Sequence, residues 1–162
     1  MSLDSHAFGP HRIRQSEVFA ETALSLAFVN LKPVVPGHVL FIPRRVATRV
    51  SELTAAELAD LWSLANACGP TLERHYGATA LTYAVQDGAA AGQTVPHCHI
   101  HLLPRKGGDF AQNDQVYDAI DDGERSLSRD LDKERTPRTA DEMAAEAAVL
   151  RRICALPVAT LS

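Results

Sequence analysis

Residues 97–103 carry three histidines, His97, His99 and His101, at alternate positions, with small apolar residues between and after them. Successive side chains of a β-strand point to opposite faces of a sheet. The alternation therefore predicts a strand with all three imidazoles on one face and the apolar side chains in a core. Three adjacent polar rings would cost core stability in a strand built only for packing. We expect this face to need imidazole chemistry.

Length and composition predict one globular domain over residues 1–162, because 46% of the chain is hydrophobic and 22% is charged. The net charge of −4 argues against DNA or RNA binding, which needs a basic surface. No apolar run approaches the roughly 18 residues of a membrane span, and no secretory signal is visible. Three widely spaced cysteines are typical of reduced core thiols. We expect a cytoplasmic protein, with a nuclear location also open, and no membrane contact.

Three further segments have strand composition: 22–30, 38–43 and 79–86. Residues 32–37 contain two prolines and a glycine, and this turn chemistry predicts that the first two strands form an antiparallel pair. Together with the strand predicted over 97–103, they indicate a mainly antiparallel sheet.

Two helices are predicted, over 54–76 and 139–155. Each begins with a Thr-x-x-Glu capping box, at 54–57 and at 139–142, and each continues with apolar residues at helical spacing. Gly69–Pro70 is expected to kink or end the first helix.

The segment 107–138 is charged and poor in aliphatic residues. A connection of this length without secondary structure is uncommon in a compact domain, so we expect the segment to be mobile at least in part. Paired strands and two separate helices predict an α+β fold with a mainly antiparallel sheet.

Three interpretations of the histidines compete: a solvated polar face, a metal site and phosphoryl chemistry. Imidazole is a common metal ligand, but metal sites usually add carboxylates or thiolates, and no acidic residue lies between Gly88 and Lys106. Residues 92–95 instead supply a glycine, two hydrogen-bonding side chains and a run of backbone N–H groups, which suit a phosphate. We therefore favour phosphoryl transfer.

Residues 97–103 match the His-φ-His-φ-His-φ-φ signature, in which φ is apolar, of the histidine triad superfamily of nucleotide hydrolases and transferases. Within it, the chain closely resembles the fragile histidine triad branch of dinucleoside triphosphate hydrolases. The resemblance runs from about residue 8 to residue 151 and is loosest over 107–138. Supporting blocks occur in order at 30–39, 86–88, 91–95, 103–110 and 143–148.

The resemblance implies a histidine-triad fold and a homodimer. It also implies an enzyme that cleaves a dinucleoside polyphosphate, most readily diadenosine triphosphate to AMP and ADP. His99 matches the nucleophile that forms a covalent nucleotidyl-histidine. His97 matches a residue that orients this nucleophile, and His101 matches a contact to phosphate oxygens. Mg²⁺ or Mn²⁺ is expected to accompany the substrate, without a fixed protein metal site.

Further residues match substrate contacts of the family, and several also have a plain structural reading. Asn30 suits turn geometry, Gln86 could be incidental at a strand end, and Phe8 and Ile13 could be packing residues. His38 is interpreted as a structural histidine and left outside the site. The implied contacts are Gln86, Gly92, Gln93, Thr94 and Val95 for the phosphates and leaving group, Asn30 for the ribose, and His11, Phe8 and Ile13 for the adenine.

Two alternative functions stay open. One is a nucleoside phosphoramidase, the activity of a sister branch of the superfamily. The other is a signalling or binding module in which the nucleotide-loaded state matters more than turnover. The segment 107–138 motivates the second, because Tyr117 matches a phosphorylation position of the family.

Overall fold

The computed structural model describes residues 4–125 and 136–155. A five-stranded antiparallel sheet, in the order β3-β4-β5-β7-β6, forms the centre, and a separate hairpin, β1-β2, lies beside it. The strands are β1 (Ser5–Phe8), β2 (His11–Arg14), β3 (Val18–Glu21), β4 (Ser25–Val29), β5 (Val39–Pro43), β6 (Ala80–Ala84) and β7 (Ile100–Arg105). The helices are α1 (Ala55–His75), α2 (Gln115–Arg125) and α3 (Ala140–Ile153). The predicted α+β class and antiparallel sheet are confirmed.

Two strand predictions need correction. The strand expected over 22–30 is only β4, because the Thr22 hydroxyl accepts the N–H groups of Leu24 and Ser25 in a tight turn after β3. The strand expected over 97–103 begins its ladder at Ile100, so the first two triad histidines precede it. The pairing of β5 with β7 then sets Leu40 opposite His101.

One face of the sheet, which we call the core face, is covered by α1 and α3. Both helices begin at the predicted capping boxes, where Thr54 and Thr139 accept backbone N–H groups. α1 does not end at Gly69–Pro70, since Pro70 lies on its exposed side, where water can bond the carbonyl that proline leaves without a donor. The buried residues include Val29, Val39, Phe41, Ile100 and Leu102 of the sheet, Leu61, Leu64 and Leu72 of α1, and Ala147 and Leu150 of α3.

The opposite face, which we call the site face, is covered by the β1-β2 hairpin and by α2. The expectation of two helices was wrong, because α2 is a third helix. It forms within a polar segment because its residues Val116 and Ile120 are buried against Leu103. The expected mobility of 107–138 stays a prediction, and its residues 126–135 lie outside the described part of the chain.

Cys68, Cys98 and Cys154 are all buried and unlinked, as predicted. Within residues 4–125 and 136–155, no helix is long and apolar enough to span a bilayer.

Candidate active site

The three triad histidines are almost completely buried on the site face, with 0%, 2% and 1% of His97, His99 and His101 exposed. The ring centroids of His99 and His101 are 4.8 Å apart. The Phe8 ring, from β1, lies 5.7 Å from that of His97 and 5.2 Å from that of His99. The three rings therefore form one cluster, although only His101 belongs to β7.

The His99 ring is oriented by the backbone. Its Nδ1 lies 2.7 Å from the carbonyl oxygen of His97. A carbonyl can only accept a hydrogen bond, so Nδ1 carries the proton in the neutral ring and Nε2 holds the lone pair. This tautomer is the one that a nucleophile requires.

His97 uses both ring nitrogens in holding the site together. Its Nε2 donates to the carbonyl of Pro43 at 2.9 Å, and its Nδ1 accepts the backbone N–H of Gly9 at 3.1 Å. Burial lowers the pKa of His97 below the ordinary value of 6.5, which favours the neutral ring. His97 thus ties the turn between β1 and β2 to the triad, and its own carbonyl orients His99.

His38 joins the site as a fourth imidazole. Val34 donates its N–H to His38 Nδ1 at 3.1 Å, which places the proton of a neutral ring on Nε2. His38 Nε2 lies 3.0 Å from His101 Nδ1 and therefore donates to it. In His101 the proton is then on Nε2, where it can donate to a phosphate oxygen.

Sequence reasoning left His38 outside the site, yet a signal was present. His38, Leu40 and Ile42 alternate with the core residues of β5, and Leu40 pairs with His101. Alternate residues share a face, so this register brings His38 to the site face.

Asn30 lies directly after β4, at the rim of this cluster. Its side-chain oxygen accepts the N–H of Lys32 at 3.0 Å, and its amide nitrogen lies 3.3 Å from His38 Nε2. Asn30 therefore stabilises the turn, as the structural interpretation of the sequence proposed, and it also lies at the site.

A cavity of about 430 Å³ opens between the hairpin and the sheet, within the usual range for small-molecule sites. It brings together the four residues that the family resemblance implied for the nucleoside: Phe8, His11, Ile13 and Asn30. Its wall also includes Phe28, Leu40, Arg138 and Met143. A planar base would meet mainly apolar and aromatic surface there.

The loop before the triad is shaped by Gln93. Its side chain accepts the N–H of Gly88 at 2.8 Å and donates to the carbonyls of Thr48 at 2.8 Å and Val95 at 3.1 Å. Val95 is buried in the cluster that contains Phe8. The Gln93 side chain therefore holds the loop, and its expected contact to a phosphate stays a prediction.

Gly92 and Gln86 meet α2 at the other end of this loop. Gly92 has a φ of 93°, and a Cβ there would stand 2.6 Å from Gln86 Nε2 and 2.8 Å from an Asp121 carboxylate oxygen. Gln86 Nε2 donates to this carboxylate, while within the described structure Gln86 Oε1 is buried without a hydrogen-bond partner. The Asp121 carboxylate of α2 thus accepts the hydrogen bond of the Gln86 amide, which the resemblance implied as a phosphate contact.

α2 also closes over the triad. A cavity of only about 30 Å³ separates the two, near the size needed for a single water, and its lining includes His38, His101, Ile120 and Gly123. Tyr117, also on α2, is 49% exposed. No group of three His, Cys, Asp or Glu side chains is arranged to hold a metal ion in the part of the chain that is described.

Known proteins resemble this chain over most of its length. The HIT domain model matches residues 12–108. The bifunctional bis(5'-adenosyl)-triphosphatase/adenylylsulfatase FHIT of Arabidopsis thaliana is 54% identical over 154 residues, covering 94% of this chain and 86% of that protein. Bis(5'-adenosyl)-triphosphatase of Dictyostelium discoideum is 49% identical over 144 residues, covering 89% of each.

A solved structure agrees with these sequence matches. The crystal structure of Plasmodium falciparum diadenosine triphosphate hydrolase in complex with Cyclomarin A has a TM-score of 0.74 and 30% sequence identity, and the match covers 94% of this chain and 85% of that one. The resemblance predicted from residues 97–103 and the supporting blocks is confirmed. This chain belongs to the HIT domain family.

Proposed function

We propose that this protein hydrolyses diadenosine triphosphate to AMP and ADP through a covalent nucleotidyl-histidine on His99. The observation that carries the proposal is the His99 ring, whose Nδ1 is held by the His97 carbonyl at 2.7 Å so that Nε2 keeps its lone pair. The names of the Arabidopsis, Dictyostelium and Plasmodium proteins support the substrate class.

In the first displacement, His99 Nε2 attacks the α-phosphorus. A nitrogen–phosphorus bond forms as the bond between phosphorus and the bridging oxygen breaks, and ADP leaves with the electron pair. Negative charge develops on the phosphoryl oxygens, where His101 Nε2–H donates. His38 holds this tautomer of His101 through the 3.0 Å contact between their rings.

In the second displacement, water attacks the same phosphorus and releases a proton to solvent. The nitrogen–phosphorus bond breaks, the electron pair returns to His99 Nε2, and AMP leaves. The first nucleoside stays in the cavity lined by Phe8, His11 and Asn30 throughout. Mg²⁺ or Mn²⁺ accompanying the substrate would neutralise polyphosphate charge in this proposal.

A homodimer is part of the same proposal. β6 lies at the edge of the sheet, paired with β7 and with no second neighbour in the described chain. Trp62 and Leu58 of α1 are 42% and 37% exposed, and the Trp62 ring lies 6.0 Å from that of Tyr83 on β6. An edge strand beside exposed apolar rings favours sheet extension across two subunits. Light scattering should give twice the chain mass, and Trp62→Glu should give a monomer.

The test compares three substrates: diadenosine triphosphate, diadenosine tetraphosphate and an adenosine phosphoramidate. In H₂¹⁸O, attack at the α-phosphorus places the label in AMP and none in ADP. Preferred turnover of the triphosphate with labelled AMP supports the proposal. Preferred turnover of the phosphoramidate would reassign the protein to the alternative enzyme class, and tight nucleotide binding without turnover would favour a signalling module. A cytoplasmic location, modification of Tyr117 and the absence of nucleic-acid binding stay predictions.

A further inference from the structure

Arg138 lies outside the triad, between α3 and the nucleoside cavity. Its Nε donates to the carbonyl oxygen of Asn30 at 3.0 Å, and its Nη2 donates to the same oxygen. Its backbone N–H donates to the carbonyl of Leu31 at 3.0 Å. The carbonyl groups of Asn30 and Leu31, the two residues after β4, are therefore both held by one residue, which lies 108 positions after Asn30 in sequence.

Arg138 is itself anchored. Its Nη1 forms an ion pair with Glu146 of α3, and the two side chains are only 21% and 18% exposed. Glu146 also accepts a hydrogen bond of 2.7 Å from the Tyr76 hydroxyl at the end of α1. Charge-assisted bonds of this kind are stronger and more directional than neutral ones. The guanidinium is fixed by both helices of the core face.

The Asn30 side chain is constrained from the opposite direction by the hydrogen bond that its oxygen accepts from the Lys32 N–H, and its amide nitrogen lies beside the His38 ring. With the backbone carbonyl held by Arg138 and the side-chain oxygen held by Lys32, neither the peptide nor the amide of Asn30 can turn without breaking hydrogen bonds. Arg138 and Asn30 both line the nucleoside cavity.

We propose that Arg138 is a positioning residue for nucleoside recognition, which sets the Asn30 amide against the ribose hydroxyls by clamping the Asn30 carbonyl. The inference rests on the proposed function for the identity of the ligand. An amide offers one donor and one acceptor group to a vicinal diol, so small rotations of Asn30 would lose both bonds. Lysine cannot replace the arginine, because one ammonium lacks the planar fork that serves the carbonyl and Glu146 together.

The experiment measures binding of AMP and of 2',3'-dideoxy-AMP by calorimetry to wild type, Arg138→Lys and a matched control. Arg151→Lys is the control, because Arg151, on α3, likewise donates to a backbone carbonyl, that of Val18, away from the nucleoside cavity. We expect Arg138→Lys to weaken AMP binding roughly tenfold, as for a lost hydrogen bond to a charged group, while dideoxy-AMP binding changes little. Arg151→Lys should leave both affinities unchanged.

A second arm tests whether the effect passes through Asn30. In an Asn30→Ala background, Arg138→Lys should add no further loss of AMP affinity, and in the wild-type background it should raise KM for diadenosine triphosphate more than it lowers kcat. Equal weakening of AMP and dideoxy-AMP would overturn the proposal, as would additive losses with Asn30→Ala or wild-type protein that does not distinguish the two nucleotides. Failure of the proposed function is separate, since it shows as absent hydrolysis while AMP binding is still measured.

Discussion

The two faces of the central sheet are built from the same strands but differ in what covers them. On the core face, apolar residues of β4, β5 and β7 pack against two long helices with capping boxes. On the site face lie His101 of β7 and His38, directly before β5, under a short hairpin and the polar helix α2. The core face carries the main hydrophobic core. The site face has fewer apolar contacts and instead carries imidazoles that are held by specific hydrogen bonds. Substitutions should therefore separate stability from turnover according to the face they alter.

The largest effect is expected for His99→Asn. Removal of the nucleophile should lower kcat by about a thousandfold or more while leaving nucleotide affinity nearly unchanged, because the path is lost and the pocket stays. Turnover of diadenosine triphosphate and mass spectrometry of quenched wild-type protein provide the measurement, with the nucleotide expected on His99. His75→Asn, at the end of α1, is the matched control and should retain turnover. Near-normal turnover in His99→Asn would refute the mechanism.

Leu72→Ala should show the opposite behaviour. Leu72 is fully buried on the core face, and its truncation should lower the unfolding free energy by about 2–5 kcal/mol. Turnover per folded molecule should stay close to that of wild type. Ser63→Ala, on the exposed side of the same helix, should change the unfolding free energy by under about 1 kcal/mol in urea unfolding. If Leu72→Ala lost turnover without losing stability, the distinction between the two faces would be wrong.

His38 tests whether the hydrogen-bond chain matters on the site face. His38→Ala removes the donor to His101 Nδ1, and kcat should fall by about one order of magnitude, less than for removal of a donor to the developing charge itself. His38→Gln should recover part of this loss, because its amide can donate from a similar position. The same kcat in both variants would show that the volume of the ring, and not its proton, is what the site uses.

His97 predicts a pH dependence of stability that originates on the site face. Its pKa is lowered in the folded protein by burial, so the unfolded chain binds the proton more tightly. The stabilisation is present above about pH 6.5 and is lost as pH falls toward the lower folded pKa, by at most about 1.4 kcal/mol per pH unit. Urea unfolding between neutral and mildly acidic pH measures it. His97→Asn should flatten the curve, and an unchanged slope would contradict the assignment.

The smallest effect is expected at α2. The Asp121 carboxylate accepts a hydrogen bond from Gln86 beside Gly92, where a polyphosphate would compete with it. Asp121→Asn should lower KM roughly twofold to fivefold at low ionic strength, with a smaller change at high salt. Asp118→Asn, an exposed position one turn earlier on α2, is the control. A raised KM in Asp121→Asn would instead indicate that the carboxylate assists substrate binding.

Short-range patterns explain the features that were predicted correctly. The two capping boxes define the starts of α1 and α3, and the alternation over 97–103 gathers three rings on one side even though the ladder begins only at Ile100. α2 escaped prediction because two apolar residues, Val116 and Ile120, are too few for a visible periodicity, and Leu103 supplies the rest of their core. The β1-β2 hairpin escaped for the same reason, since its buried residues Phe8 and Ile13 are stabilised by the sheet beneath them.

The sequence by itself determined the chemistry: three alternating imidazoles, a glycine-containing loop before them and the family they indicate. Tertiary structure alone decided which groups orient that chemistry. His38 meets His101 across 63 residues of sequence and Arg138 meets Asn30 across 108. Strand pitch and helix capping act over a few residues, so they can be read from the chain. Hydrogen bonds between distant segments depend on strand register and helix packing, which exist only after the domain has folded.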